Sequence, residues 1–243
     1  PEKIGIAGLD VDDKVQKQLY VVTRENKKLY VIDLKNKSIQ SKVDLGAEGY
    51  TCKLSPDLKQ LYISVWGAEK LLVWDVVSKK ITKEIAVGNH PNEITFSKSG
   101  KWLYVANAND NSVSVINTKE GKVVETLNAA LYPNAPSGST SNGVALSENG
   151  KTLYIANADN NCLAVFDVTN PGKSVSKGFI PVGWYPTNVK VVGNEILVTN
   201  GKGLSSKANP RGPNPTDKKE KVDRHSGDAN KPKEIQYIAG LFK

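Results

Sequence analysis

A short apolar and aromatic signature returns at a fixed interval along this chain. Leu19-Tyr20-Val21 recurs as Leu61-Tyr62-Ile63 and as Leu103-Tyr104-Val105, each 42 residues after the last. It returns as Leu153-Tyr154-Ile155 after eight extra residues, and in weaker form as Ile196-Leu197-Val198. Self-similarity at a period of roughly 40–45 residues, built from short strands, marks a radial repeat with one blade per period. The chain therefore reads as all-β, a β-propeller of four-stranded antiparallel blades with about five repeats present. The repeats fall near 1–46, 47–88, 89–131, 132–183 and 184–243. Propellers host many unrelated functions, so the period constrains the architecture and leaves the chemistry open.

One repeat shows how the residues dictate the strands. Gly88-Asn89-His90-Pro91 reads as a turn, and Asn92 to Ser97 alternates Ile94 and Phe96 with polar residues. Lys98-Ser99-Gly100-Lys101 is a tight hairpin, with Gly100 free to take positive φ. Trp102–Asn107 and Ser112–Asn117 are dense in β-branched and aromatic residues, as strands are, and Val123–Leu127 completes the blade. The other repeats follow this pattern, although Asp57-Leu58 lacks the expected Gly. Trp74-Asp75 resembles a WD40 dipeptide, but its equivalents are Ile32-Asp33, Ile116-Asn117 and Phe166-Asp167, so that reading fails.

The 243 residues carry a net charge of +8, and residues 201–234 hold nine Lys/Arg against five Asp/Glu. A basic segment of this kind suits an anionic ligand or an acidic partner surface. No apolar run approaches the roughly 18 residues of a membrane-spanning helix. Cys52 and Cys162 lie two blades apart at different strand positions, too far for a disulfide, and are expected as free thiols. The chain opens at Pro1 in mid-strand style, at Ile4-Gly5-Ile6-Ala7, without an initiator Met, and reads as a fragment or trimmed product.

Blade topology places the loop entering the first strand and the loop between strands two and three on one face. Two insertions break the period there, Tyr132 to Ser141 and Gly201 to about Glu234. Insertions gathered on one face of a repeat protein mark its binding face. No catalytic, metal or cofactor constellation stands out. His90 sits in a repeat-linking turn and His225 in the basic loop. Asn109-Asp110-Asn111 and Asp159-Asn160-Asn161 lack the spacing of a calcium loop and suit hairpin turns. Asn107, Asn157 and Asn200 hold equivalent strand ends, where buried amides cap backbone groups. Gly201-Lys202-Gly203 is not a P-loop, but its amides and Lys202 suit an anion.

Longer motifs then carry a family resemblance. Leu103-Tyr104-Val105-Ala106-Asn107 resembles the YVTN repeat of YncE-like propellers. The stretches 130–140, 157–167, 178–187 and 200–214 are similar to one subfamily, in which such a propeller precedes an alkaline-phosphatase-like phosphoesterase domain. Ser141 departs from it, standing where the subfamily usually has Pro before Asn142. The resemblance implies a seven-bladed ring, with about two blades before Pro1, a third strand at Gln236–Lys243, and the phosphoesterase after it. It implies a periplasmic, cell-envelope or secreted protein. None of the phosphoesterase's catalytic or metal-binding residues lies in this chain.

The expected function is a non-catalytic binding or scaffold module whose inserted face meets the phosphoesterase domain, a protein partner or an anionic substrate. Candidate contact residues are Asn134, Ser137, Ser139, Thr140, Trp184, Tyr185, Lys202, Asn209 and Arg211. Two other classes stay open. A lactonase-type propeller enzyme would need polar or metal-binding residues converging on the central channel. Nucleic-acid binding is permitted by the basic loop, but no strip of aromatics interleaved with basic residues supplies a stacking platform.

Overall fold

A computed structural model describes residues 3–203 and the backbone of 240–242. It consists of five antiparallel sheets in chain order. The first holds β1 (Ile6–Asp12), β2 (Gln18–Thr23), β3 (Lys28–Asp33) and β4 (Ser38–Asp44). The second holds β5 (Gly49–Leu54), β6 (Gln60–Val65), β7 (Lys70–Asp75) and β8 (Lys80–Ala86). The third holds β9 (Pro91–Phe96), β10 (Trp102–Asn107), β11 (Ser112–Asn117) and β12 (Lys122–Asn128). The fourth holds β13 (Ser141–Leu146), β14 (Thr152–Asn157), β15 (Cys162–Asp167) and β16 (Val175–Pro181). In the fifth, β17 (Pro186–Val192) pairs β18 (Glu195–Asn200), which pairs β19 (Gly240–Phe242). The blade expected over 88–127 is observed strand for strand.

The first strands of successive blades lie side by side, β1 against β5, β5 against β9, β9 against β13 and β13 against β17. The fourth strands lie outermost and alternate exposed with half-buried residues. Between blades, the repeated signature forms the core: Tyr20, Tyr62, Tyr104, Leu61, Leu103 and Leu153 are at most 2 % exposed. Each successive interface has its own apolar cluster, so stability accumulates blade by blade. Crowding at the axis explains Gly8 and Gly143. A Cβ would lie 2.6 Å from the Cα of Thr51 at the first and 3.0 Å from that of Asn188 at the second.

Every first strand carries a register break at the same place, next to Ala7, Tyr50, Asn92, Asn142 and Thr187. A β-bulge inserts one unpaired residue and re-aims its side chain. The hairpins are equally regular. Where Gly100 and Gly150 take positive φ, Leu58 adopts φ 59° itself, so the missing Gly changes the residue and not the turn. Cys52 and Cys162 are buried free thiols, as their blade positions require.

Candidate functional site at the channel mouth

The insertion-bearing face is built from one repeated contact. The loop after strand two bonds back to the loop before strand one: Arg24 N–H to Gly5 O, Gly67 to Glu48, Ala108 to His90, Ala158 to Thr140, and Gly201 to Tyr185, at 2.8–3.2 Å. His90, Thr140 and Tyr185 occupy equivalent positions, all with φ near 50–60°. These pairs bring both loop types to one end of the first strands. A cavity of about 520 Å³ opens there. The bulge residues Ala7, Tyr50, Asn92 and Asn142 line it, together with Arg24, Trp66 and Thr140.

The chemistry of this mouth is that of a polar binding site. The Arg24 guanidinium lies 5.0 Å over the Trp66 ring, and no carboxylate among the described residues reaches it at ion-pair distance. Stacked guanidinium and indole form a cation–π contact that leaves the guanidinium edge free to donate. Asn92 donates from Nδ2 to Asn142 Oδ1 at 2.8 Å, and its own buried Oδ1 has no partner among the described residues. Burial and the nearby Glu93 carboxylate raise the Tyr50 phenol, which therefore stays neutral at physiological pH. Glu93 itself pairs with Lys190 at 3.2 Å.

His90 is a structural residue of this face. It stands edge-on to Trp66 with ring centroids 3.9 Å apart, and its Nδ1 contacts the Asn89 and Asn109 side-chain amides. Among the described residues no cluster of three His, Cys, Asp or Glu could hold a metal ion.

The structure distributes the sequence candidates over three places. Thr140 lines the cavity, where its hydroxyl also bonds Asp159. Asn134 and Ser137 border a separate groove between the second and third blades. Ser139 is 3 % exposed and works structurally, since Asn111 Oδ1 accepts its N–H at 2.6 Å and Asn160 donates to its hydroxyl. Trp184, Tyr185 and Lys202 form a third group, with the Lys202 ammonium 4.4 Å over the Tyr185 ring. Asn161 Oδ1 accepts the Tyr185 N–H at 2.9 Å and holds that turn. Asn209 and Arg211, and the segment 204–234, lie outside the described residues.

Sequence reading did not single out Arg24, Trp66, Tyr50, Asn92 or Asn142. Tyr50, Asn92 and Asn142 share one position per repeat, but the bulge that aims them shows only in the register, while Arg24 and Trp66 come from the loops after strand two. The buried strand-end amides differ from one another. Asn157 caps Ala129 O at 2.6 Å, Asn107 donates instead to the Ser112 and Ser114 hydroxyls, and the Asn200 side chain has no partner among the described residues.

Comparison with known proteins adds a family. The family model for lactonases with a seven-bladed β-propeller matches residues 51–207. No curated protein matches the chain. Among solved structures, hydrazine synthase of Kuenenia stuttgartiensis is 23 % identical with a TM-score of 0.66, over 80 % of this chain and 55 % of that one. A putative 6-phosphogluconolactonase from Bacteroides uniformis is 19 % identical with a TM-score of 0.65, over 76 % of this chain and 61 % of that one. Identities this low establish the shared fold, and the chain spans little more than half the length of these neighbours.

Proposed function

The chain belongs to the seven-bladed β-propeller lactonase family, and within it we propose a binding module whose insertion-bearing face receives a partner or ligand. The carrying observation is that the channel-mouth cavity opens on the face where both insertions interrupt the repeat. Its lining offers one guanidinium, three side-chain amides, a phenol, an indole, the Thr140 hydroxyl and the Glu25 carboxylate, a set rich in groups that bind and orient oxygen-rich ligands. On this reading the chain is a YncE-like propeller of an exported protein. Its partner is an alkaline-phosphatase-like phosphoesterase domain on the same polypeptide. The long motifs at 130–140 and 200–214 support that architecture. Nucleic acid is not the partner, because the described part of the face presents single cations and no stacking strip.

Lactone hydrolysis is the second reading, favoured by the family and by the neighbour titled a putative 6-phosphogluconolactonase. Glu93 would then activate water while Arg24 and the amides polarise the lactone carbonyl. Two observations speak against it: Glu93 is not among the residues that line the cavity, and its carboxylate is already held by the Lys190 ammonium. An indicator assay with glucono-δ-lactone and with its 6-phosphate separates the readings. The binding module leaves the uncatalysed rate unchanged. Turnover that disappears in Glu93→Gln overturns it in favour of the lactonase.

A further inference from the structure

The groove between the second and third blades is independent of the channel mouth. It encloses about 640 Å³, within the usual range for small-molecule sites. Its floor is one face of the third blade, where Ser112 pairs across the strands with Asn128, and Ser114 with Thr126. Lower on the same face, Ile116 and Val123 continue into the apolar contact with the second blade. The groove is thus the place where that inter-blade contact opens and turns polar. The 132–140 insertion roofs it with Asn134 and Ser137.

Three observations show that this space is built. Asn111 fixes the insertion above it, donating to Pro136 O at 2.8 Å and accepting the Gly138 and Ser139 N–H groups at 2.9 and 2.6 Å. Gly88 keeps the wall clear, since a Cβ would lie 2.5 Å from Asp110 Oδ2 and 2.6 Å from Asn107 Cγ. The third concerns two nearly buried hydroxyls. Ser112 and Ser114 are 5 % and 2 % exposed, and both accept an N–H from Asn107 at 3.0 Å. With their acceptor sides engaged, their own protons find no acceptor among the described residues.

We propose that this groove binds a neutral saccharide. Its charge balance selects against ions: no Lys or Arg lines it, so an anion lacks a counter-charge, and the single Asp110 carboxylate already accepts the Asn89 N–H. The Ser112 and Ser114 protons meet sugar oxygens. The Asn134 amide and the Ser137 hydroxyl, which have no side-chain partner among the described residues, exchange bonds with sugar hydroxyls. Val87 and Val123 supply the apolar surface that the C–H face of a pyranose requires.

Saturation-transfer NMR on the whole chain tests this with glucose, N-acetylglucosamine and cellobiose, and with gluconate and glucosamine as charged controls. Transfer to at least one neutral sugar is expected, with weaker or no transfer to the charged pair. Ser114→Ala should weaken the responding sugar about fivefold or more, as the loss of a buried hydrogen bond implies. The exposed double variant Asn134→Ala/Ser137→Ala should weaken it as well, and it serves if Ser114→Ala fails to fold. No transfer from any neutral sugar overturns the proposal. So does binding that both variants leave unchanged, or binding abolished by Asn92→Ala at the channel mouth instead.

Discussion

Glu93 and Lys190 form a 3.2 Å ion pair although 97 residues and one whole blade separate them. They stand on β9 and β17, with β13 between those strands. The pair links the third blade to the fifth across the fourth. Lys190 is well exposed, so solvent screening keeps the bond weak. Lys190→Met should therefore change the urea-unfolding free energy by less than about 1 kcal/mol. A larger loss would mean that the axis is drier than the structure indicates.

Asn111 should matter more than any charged residue on the inserted face. It is 3 % exposed, adopts φ 50°, and satisfies three backbone groups of the insertion. Asn111→Ala orphans those groups and strains the new residue, an expected loss of about 2–3 kcal/mol. Asn111→Gly relieves the strain alone and should fall between the two. Urea melts give the energies, and amide exchange at 136–139 should accelerate in both variants.

Much of the fold was legible in the sequence for a physical reason. A buried Leu-Tyr-Val strand in each blade must alternate and must repeat, so the period and the strands at 102–107 and 112–117 could be read directly. The Asn107 series was only partly legible. Three equivalent amides meet three different environments, because the residue opposite changes from Ser112 to Cys162 between blades. The site was least legible. Arg24, Trp66 and Asn92 converge only through tertiary packing of three blades, and no local spacing encodes that.

Asp12 gives a test at acid pH. Its carboxylate is 1 % exposed and accepts the Lys14, Val15 and Gln16 N–H groups at 2.8–3.0 Å. Burial alone would raise its pKa, but these three donors outweigh burial and hold it below 3.8. A carboxyl depressed in the folded state stabilises above its unfolded pKa and loses that contribution as pH falls through the folded value. Asp12→Asn should therefore lower the urea midpoint at neutral pH. It should also flatten the midpoint's decline below about pH 4.

The core tyrosines act at the other end of the scale. Burial pushes Tyr20 and Tyr104 from 10.0 to about 12. Their contribution is complete below the unfolded pKa and is lost as pH rises through the folded one. The urea midpoint should fall between about pH 10 and pH 12, and Tyr104→Phe should soften that fall. Phenolate absorbance should show a late-titrating class, and a single transition near pH 10 would contradict the burial.

The central claim is that the insertion-bearing face is the working face. Hydrogen exchange of the chain, alone and with an alkaline-phosphatase-like phosphoesterase domain added in trans, tests it most directly. Added protection at 132–140, 184–186 and 201–203 is the expected result. Unchanged exchange there, or protection confined to the opposite hairpins at 55–59 and 97–101, would contradict it.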